Sequence, residues 1–385
     1  MSARGFRLDG DRWSSTTGSG VSSAEDISIS YNAETREVIR HPDGVVIGDD
    51  IFEVLDALVA QDPAATWVGY FGYACRPDLR ARPAVGVPDA VWMRCASSTE
   101  TSASSAQTRA SSARTGASSA MPAGYSAAFE EVQRRLRAGD SYEVNLTRRV
   151  ELTATDADPD AVYATLRAIN PAPYAAHIWH DGTHVLSASP ECFVTIDRGR
   201  VRTKPIKGTT ARGHDQASDK LQAQLLATDP RYRAENLMIT DLMRNDLSQV
   251  CKPGTVEVTG LMQVESYAAV HQLVSTVEGD LNEETSTVQA IRALFPAGSM
   301  TGAPKQRTME IIDAVEDTPR GIYSGALGWI RGDSCELSVI IRSLIRDPAN
   351  RWHAGTGGGI TVHSDAASEW DESEWKLNRL VSALG

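Results

Sequence analysis

The stretch IYSGALGWIRGDSCELSVIIRSLI, residues 322–345, consists of two apolar runs on either side of a short polar segment. That segment, from Arg331 to Ser334, contains the residue types that favour tight turns. The pattern predicts a β-hairpin, in which the two runs pair as antiparallel strands. This stretch therefore favours a fold that is built on antiparallel sheets.

Other β patterns lie further toward the N-terminus. The stretch CFVTIDRGRVRTKPI (residues 192–206) predicts a second hairpin that turns at residues 197–199, and SYEVNLTRRVEL (residues 141–152) predicts a strand. Helical periodicity alternates with these strands, in SAAFEEVQRRLRAGD (residues 126–140) and in STVQAIRALF (residues 286–295). Together the patterns predict an α+β fold with large mixed or antiparallel β-sheets flanked by helices, not a doubly wound parallel sheet.

The chain has 385 residues, 41% of them hydrophobic, which is enough for a sizeable core. Residues 95–124 are nearly all Ala, Ser, Thr and Gly, so they cannot offset the entropy lost on ordering. We expect a low-complexity linker or loop there. It separates a short N-terminal region, residues 1–94, which packs on the body, from a main domain over residues 125–385.

Charge and composition exclude several function classes. The net charge of −12 argues against a nucleic-acid partner. No run approaches the ~18 apolar residues of a membrane span, and the first residues lack the apolar core of a signal peptide. The cysteines are odd in number and show no metal-type spacing, which indicates a reducing compartment and a cytoplasmic location.

The stretch TKPIKGTTARG, residues 203–213, places Lys207 between a proline and a Gly-Thr-Thr turn. A lysine that follows a hairpin is most often a solvated charge. The alternative is a lysine placed for chemistry. Spacing alone favours the solvated charge.

The C-terminal stretch GTGGGITVHSDAASEWDESEWKLNRLVSAL, residues 355–384, begins with glycines that allow a ligand or backbone to approach closely. A helix is predicted to begin after Ser364 or Asp365. Glu369, Glu372 and Lys376 then share one helical face. This face is either a solvated charged surface or a site for a hard divalent cation, and spacing leaves both possibilities open.

Two more stretches contain candidate residues. The first is RAENLMITDLMRNDLSQVC, residues 233–251, in which Glu235 precedes an apolar run. An acid in the first turn of a helix most often interacts with the helix dipole. In the same stretch, the charges from Asp241 to Asp246 predict a structural ion-pair network. In FPAGSMTGAPKQRTMEIIDAVED (residues 295–317), a glycine-rich turn at Gly298 and Ser299 precedes a helix that Pro304 can start, a weak signal for an anion site. The P-loop order and the common hydrolase motifs are absent from the sequence.

These segments together resemble the chorismate-utilising enzymes, over residues 125–385 and the stretch WVGYFGY near Trp67. The resemblance is carried by GDSYEVNLT, SASPECF, PIKGTTARG, ENLMITDLMRND, PAGSMTGAPK, RGIYSGALG, CELSVIIRSL and GGGITVHSD. It implies an anthranilate synthase component I-like fold. Within the family, PIKGT resembles the aminodeoxychorismate synthase branch, since anthranilate synthases typically carry PIAGT. Isochorismate and salicylate synthases usually place a water-activating lysine where this sequence has Glu143.

The resemblance implies a transaminase-class enzyme that converts chorismate and ammonia to 4-amino-4-deoxychorismate, the precursor of 4-aminobenzoate. By residue-to-residue match, Lys207 is the nucleophile and Glu191 the general acid. Such a lysine must lose its proton, so we expect its pKa to be lowered. The implied Mg²⁺ ligands are Glu235 and Glu372, with Glu369 close by. The implied substrate-binding residues are Arg342, Lys376, Gly298, Ser299, Thr209 and Gly358.

The resemblance also implies a partner, because no cysteine lies in a context that suggests glutamine hydrolysis. Ammonia is then expected from a separate glutamine amidotransferase subunit. Anthranilate synthases have a histidine for pyruvate elimination where this sequence has Gln272, with His271 one residue earlier. Two alternatives remain: an anthranilate or 2-amino-deoxyisochorismate synthase, and a non-catalytic homologue that binds chorismate.

Overall fold

The computed structural model describes residues 4–11, 13, 18–22, 26–95, 120–153, 157–267 and 270–385. The predicted linker over residues 95–124 falls mainly on residues 96–119, which lie outside the described residues. The domain boundaries drawn from that linker therefore stay a prediction.

The strands of the described chain are numbered in chain order. They are β1 (Arg4–Leu8), β2 (Gly18–Ser22), β3 (Ser28–Asn32), β4 (Glu37–His41), β5 (Val45–Gly48), β6 (Thr66–Phe71), β7 (Ala90–Cys95), β8 (Glu143–Leu152), β9 (Tyr174–His180), β10 (Thr183–Ser189), β11 (Cys192–Asp197), β12 (Arg200–Thr203), β13 (Ile206–Ala211), β14 (Glu257–Ser266), β15 (Val270–Asp280), β16 (Gly302–Ala303), β17 (Ala326–Arg331), β18 (Ser334–Val339), β19 (Ser343–Arg346) and β20 (Trp352–Ile360).

The helices of the same residues lie between these strands. They are α1 (Ile51–Gln61), α2 (Ala123–Arg137), α3 (Pro159–Ile169), α4 (Gln216–Thr228), α5 (Pro230–Ser248), α6 (Thr287–Leu294), α7 (Lys305–Val315) and α8 (Ala366–Val381). No described helix combines the length and the apolar composition that crossing a bilayer requires.

The strands form two large sheets. One has eight strands in the order β16-β8-β20-β19-β10-β9-β1-β2, and the other has twelve, in the order β13-β15-β12-β11-β18-β17-β6-β7-β3-β4-β5, with β14 also paired to β15. The predicted hairpins are confirmed, because β17 pairs with β18 through Arg331 and Ser334, and β11 pairs with β12. The predicted α+β fold with large antiparallel sheets flanked by helices is confirmed as well.

The residues before the predicted linker extend both sheets. Strand β1 pairs with β9 in the eight-stranded sheet, and β6 pairs with β17 in the twelve-stranded sheet. The largest core cluster joins both sheets, since it contains the fully buried Leu8 and Ile178 of one and Val68 and Leu327 of the other. The N-terminal strands are therefore part of the same packed unit as the later strands.

Local signals explain where the predicted helices begin. The Ser286 side chain accepts a hydrogen bond from the Gln289 backbone at the start of α6, and Asp365 does the same for Ser368 at the start of α8. Pro304 occupies the cap position of α7 instead of its first helical position. On α8, Leu377 is buried, whereas Val381, the last residue of the helix, is 38% exposed.

A buried ion pair connects several of these elements. The Arg320 guanidinium pairs with Glu316, which follows α7, at 2.7 Å, and both side chains are at least 96% buried. Arg320 also donates hydrogen bonds of 2.6 Å to the carbonyl oxygens of Asn145 and Met300. Glu316 in turn accepts hydrogen bonds from the backbone N–H and the hydroxyl of Thr147. The hydrogen bonds of this pair therefore connect β8 with the turn after α6 and with the end of α7.

We predict that Arg320→Met lowers the free energy of unfolding by about 3–5 kcal/mol, because it leaves the Glu316 carboxylate buried without its counter-charge. Urea unfolding followed by circular dichroism measures this change. The matched control is Arg80→Met, because Arg80 pairs with Asp313 while 73% exposed, and we expect a loss below about 1 kcal/mol. Equal losses in the two variants would contradict a special role for the buried pair.

Candidate active site

A cavity of about 580 Å³ lies where the two sheets meet. Its walls come from β8 and β20 of the eight-stranded sheet, from β13 and β15 of the twelve-stranded sheet, and from helices α5 and α8. Of the residues predicted for the site, those that line the cavity are Glu191, Lys207, Thr209, Glu235, Ser299, Arg342, Gly358, Glu369, Glu372 and Lys376. The fold thus brings together residues that are up to 185 positions apart in the sequence.

Lys207 lies within β13, and its side chain is only 11% exposed. The interpretation of this lysine as a solvated charge is therefore wrong. Strand β13 pairs with β15 with a register shift between Ile206 and Thr209, which is a bulge at Lys207 and Gly208. Gly208 has a φ of 92°, which a glycine adopts without strain. A bulge changes the direction of a side chain relative to the regular strand pattern. Lys207 lies in this bulge and lines the cavity.

The ammonium group of Lys207 forms a salt bridge with Oε1 of Glu143, the first residue of β8. The Glu143 side chain is 2% exposed, and its Oε2 has no hydrogen-bond partner among the described residues. Burial acts to lower the pKa of Lys207, but Glu143, together with Glu235 and Glu191, raises it above its ordinary value. The lowered pKa expected from the sequence is therefore wrong for this state of the site, because the negative charge of Glu143 stabilises the ammonium form.

Glu191 lies between β10 and β11, beside Lys207 and Arg342. Burial raises the pKa of its carboxyl to about 7, although the Ser299 hydroxyl and the positive charges of Lys207 and Arg342 act in the opposite direction. A carboxyl group with a pKa near neutrality can both hold and release a proton at physiological pH. This property matches the demand placed on a general acid.

Three glutamates on two helices line another part of the cavity. Glu235 is the sixth residue of α5, so the first-turn position considered from the sequence is wrong. Glu369 is 5% exposed and Glu372, which pairs with Lys376 at 2.8 Å, is 50% exposed. The predicted shared face of α8 therefore points into the cavity, and a fully solvated face is excluded.

The charges around these glutamates fit a cation. Burial, reinforced by a second carboxylate, raises the pKa of both Glu235 and Glu369. The Arg231 guanidinium lies between them, with Nε 3.2 Å from Glu235 and Nη2 3.7 Å from Glu369. Two partly buried carboxylates that share one positive charge are the kind of oxygen donors that Mg²⁺ prefers.

The glutamates do not form a closed cage. Among the described residues, three His, Cys, Asp or Glu side chains with ligand atoms all within 4.8 Å of one another occur at His41, His180 and Asp181, and none of these three lines the cavity. Mg²⁺ usually keeps several water or substrate oxygens in addition to one or two carboxylates. The open arrangement of the glutamates is compatible with this mode of coordination.

Positive groups line the same cavity as the glutamates. Arg342 forms no ion pair with any described residue, and burial together with the nearby Arg379 lowers the pKa of its guanidinium. Lys376 donates a hydrogen bond of 2.8 Å to the Gly357 carbonyl oxygen. An unpaired guanidinium in a cavity is a binding group for a carboxylate, so the site can hold an anion although the chain is acidic.

Gly298 is the one predicted site residue that does not line the cavity. A Cβ on Gly298 would lie 2.5 Å from the Met243 side chain and 2.7 Å from Leu242, so this glycine permits close packing against α5. The predicted anion site at the N-terminus of α7 is also wrong in its geometry. The turn at Gly298–Met300 continues into the short strand β16 before α7 begins.

Two of the glycines of β20, Gly358 and Gly359, lie beside the charged groups. A Cβ on Gly359 would collide with the Glu143 carboxylate and lie 3.1 Å from Lys207 Nζ, and a Cβ on Gly358 would lie 3.1 Å from Glu369. The predicted close approach of a backbone is confirmed at Gly357, where a Cβ would lie 2.2 Å from the Leu146 carbonyl oxygen. At Gly358 and Gly359, side chains of the site approach instead.

The structure distinguishes Gln272 from His271, two neighbouring residues whose roles the sequence left open. Gln272 is buried and lines the cavity, whereas His271 forms hydrogen bonds with Asp219 at 2.9 Å and with Ser266 at 2.7 Å outside it.

The predicted network from Asp241 to Asp246 is only partly present. Arg244 pairs with Asp241 at the surface, but the Asp246 carboxylate forms a buried pair with Lys305.

Some residues in or beside the cavity were not assigned a role from the sequence. Glu143 was noted only as a replacement for lysine, and its contact with Lys207 joins residues of two different sheets. Arg231 lies four positions before Glu235, a spacing that indicates a helical ion pair. Asn145 and Tyr323 also line the cavity, and no sequence pattern pointed to them.

Comparison with known proteins shows what the chain resembles. The chorismate binding enzyme family matches residues 87–382. The chain is 46% identical over 263 residues to an aminodeoxychorismate synthase of Streptomyces griseus, covering 68% of this chain and 36% of that protein. It is 42% identical over 261 residues to aminodeoxychorismate synthase component 1 of Klebsiella aerogenes, covering 68% and 57%.

The solved structure of anthranilate synthase component I from Streptococcus pneumoniae superposes with a TM-score of 0.77 at 24% identity, over 93% of this chain and 90% of that one. This likeness confirms the anthranilate synthase component I-like fold. The chain spans only about a third to just over half of the length of the two curated relatives.

We predict that Glu191→Gln removes a pH-dependent part of the stability. The folded carboxyl keeps a proton from its ordinary pKa of 4.5 up to about 7, while the unfolded carboxyl has lost it. The folded state binds more protons in this window, so its stability falls as pH rises through it, by about 3 kcal/mol. Glu191→Gln should therefore gain about that much stability relative to the wild type between pH 4 and pH 9.

Urea unfolding at a series of pH values measures this difference. Glu283→Gln is the control, because that side chain is 87% exposed and should leave the pH profile unchanged. A parallel pH profile for the Glu191 variant and the wild type would show that Glu191 ionises normally.

Proposed function

Because the chain belongs to the chorismate binding enzyme family, we propose that it aminates chorismate at C4, with ammonia, to form 4-amino-4-deoxychorismate. The observation that carries this proposal is the buried Lys207, which lines the cavity beside a glutamate whose carboxyl has a pKa of about 7. A lysine nucleophile and a carboxylic acid are the two groups that a stepwise allylic substitution needs.

In the proposed reaction, the Lys207 amine attacks C2 of chorismate while the C4 hydroxyl leaves. Glu191 donates its proton to that hydroxyl, which departs as water. Ammonia then attacks C4 and expels the lysine from C2. Covalent catalysis of this kind replaces one difficult displacement with two easier ones.

We propose that the carboxylates of the substrate are held by the cationic side of the cavity. Arg342 has no ion-pair partner among the described residues, so its guanidinium is free to bind a substrate carboxylate. Lys376 pairs with Glu372 at 2.8 Å, so it lies close enough to contact both the substrate and the metal site. Ser299, Thr209 and Gly358 line the same space and supply hydroxyl and backbone groups. Gly298 acts by packing, since it lies outside the cavity wall.

We propose Mg²⁺ as the cofactor, held by Glu235 and Glu372 with Glu369 nearby. The shared Arg231 supports a cation between Glu235 and Glu369, since a divalent cation would relieve the repulsion between these carboxylates. Glu372 comes from the resemblance, and it lines the same cavity. When bound, Mg²⁺ would neutralise and orient a substrate carboxylate. Arg231 would then have to give up part of its contact with Glu235 or Glu369.

The alternative activity, formation of anthranilate, requires elimination of pyruvate. Gln272 lines the cavity in place of the histidine expected of anthranilate synthases, and His271 is engaged elsewhere. An amide cannot take up a proton as an imidazole does, which supports a product that keeps its enolpyruvyl group.

We propose that a separate glutamine amidotransferase subunit supplies the ammonia in a cytoplasmic enzyme. The name of the Klebsiella aerogenes relative, component 1, supports a second component in that protein. With ammonium salts at alkaline pH, the chain should need no partner for its own step.

We predict that Lys207→Ala lowers formation of 4-amino-4-deoxychorismate from chorismate, Mg²⁺ and ammonium on the order of 10³-fold or more, because the covalent route is lost. Mass spectrometry of the products measures it. Lys204→Ala is the matched control, because Lys204 lies three residues earlier and pairs with Glu265, and it should keep near wild-type activity. Release of anthranilate and pyruvate by the wild type would overturn the proposed function.

We predict that Glu372→Gln weakens Mg²⁺ binding by at least the roughly tenfold that is typical of groups just outside a metal's ligands. Calorimetric titration with Mg²⁺ in the absence of substrate tests this directly. Asp371→Asn is the control, since Asp371 precedes Glu372 on α8 but does not line the cavity. Equal Mg²⁺ affinity in both variants would remove Glu372 from the metal site.

A further inference from the structure

The salt bridge between Lys207 and Glu143 presents a chemical problem for the proposed reaction. A lysine that is paired with a buried carboxylate is held as an ammonium ion, which has no lone pair for attack. The pair is shielded, with side-chain exposures of 11% and 2%. The proton of the ammonium must therefore go to a neighbouring group of the protein before the amine can react.

We propose that Glu143 is a catalytic residue: it takes the proton from the Lys207 ammonium when chorismate is bound, and it returns that proton when the lysine is released. This inference rests on the proposed function. It adds a third proton-handling group to the nucleophile and the general acid.

The contacts of Glu143 support this role. Its Oε1 already touches Lys207 Nζ, the atom that must lose a proton, so no rearrangement is needed. Its Oε2 is buried and has no hydrogen-bond partner among the described residues, so the protein does not hold this carboxylate in its charged form through a second contact. Gly359 leaves the space in which the pair sits, since a Cβ there would collide with Glu143.

The other acidic groups that act on Lys207 are less suited to accept its proton. Glu191 has to keep its own proton for the leaving hydroxyl. Glu235, on α5, already accepts a hydrogen bond from Arg231. Glu372, on α8, pairs with Lys376 at 2.8 Å. Among the described residues, Glu143 is the acid that forms a salt bridge with Lys207 and has no second cation beside it.

Protons and electrons balance over the cycle. The Lys207 ammonium gives its proton to Glu143, and the free amine uses its lone pair to form the C–N bond at C2 while the C4–O bond breaks. Glu191 gives its proton to the leaving hydroxyl, which becomes water. Ammonia forms the C4–N bond, the C2–N bond breaks, and the lysine amine regains its proton from Glu143. The new ammonium at C4 returns one proton to Glu191.

The test is formation of the Lys207 adduct from chorismate and Mg²⁺ without ammonia, from pH 6 to pH 10. Intact-protein mass spectrometry after rapid quenching gives the rate, and ammonia ionisation does not enter it. The variants are Glu143→Gln, which keeps the shape but cannot take up the proton, and Glu143→Asp, which keeps a carboxylate. Glu265→Gln is the matched control, because Glu265 pairs with Lys204 outside the cavity.

In the wild type, we expect a rate that falls from pH 7 to pH 9, because Glu191, whose carboxyl has a pKa of about 7, loses the proton that the leaving hydroxyl needs. The Lys207 proton adds no further pH dependence, because it moves within the pair. In Glu143→Gln, we expect adduct formation about 100-fold slower at pH 7, because Glu235 and Glu191 still favour the ammonium form of Lys207 and no carboxylate touches it. The ratio of the variant's rate to the wild-type rate should rise with pH as Lys207 loses its proton to water instead. Glu143→Asp should recover part of the rate, and Glu265→Gln should match the wild type.

Three results would overturn the inference. A Glu143→Gln rate and pH profile like those of the wild type would show that Glu143 takes no proton. A rate that is low at every pH in both Glu143 variants would show that Glu143 only positions the lysine. Absence of an adduct in the wild type would instead refute the lysine step of the proposed function itself, and is thereby distinguished from the other two.

Discussion

The buried charge of Arg320 is the constraint on which the geometry of the cavity depends. A guanidinium that is almost fully removed from water must have its charge and its donors satisfied inside the protein. Arg320 meets this requirement through Glu316 and the carbonyl oxygens of Asn145 and Met300. Asn145 and Met300 both line the cavity. The hydrogen bonds from Arg320 therefore hold β8 and the turn that contains Ser299 at a defined separation.

Around this support, the cavity places two sets of opposite charges close together. Carboxylates from α5 and α8 lie on one side, and Arg342 and Lys376 supply positive charge within the same space. Each helix alone would present an ordinary charged face. Their meeting over the edges of both sheets removes these groups from water, which is why Glu191 and Glu235 bind protons more tightly than exposed glutamates do.

The pair of Lys207 and Glu143 shows how the same burial can serve a reaction. Desolvation alone would favour a neutral amine, but the adjacent carboxylate stabilises the ammonium form, so the resting site stores a proton between two groups in contact. A shared proton in a shielded pair can move over a short distance without help from bulk water. The bulge in β13 and the absence of a Cβ at Gly359 are the local backbone features that allow this contact.

The sequence by itself determined the antiparallel hairpins, the helix starts at Ser286 and Asp365, and ten residues that line the cavity out of eleven predicted for the site, because turn chemistry, capping and motif order are local properties. The tertiary structure alone decided that Lys207 is buried and paired, that Gln272 and not His271 faces the cavity, and that Gly298 packs against α5. Contacts such as that between Glu143 and Lys207 join strands of different sheets. Burial and pKa depend on such distant neighbours, so no local pattern in the sequence could reveal them.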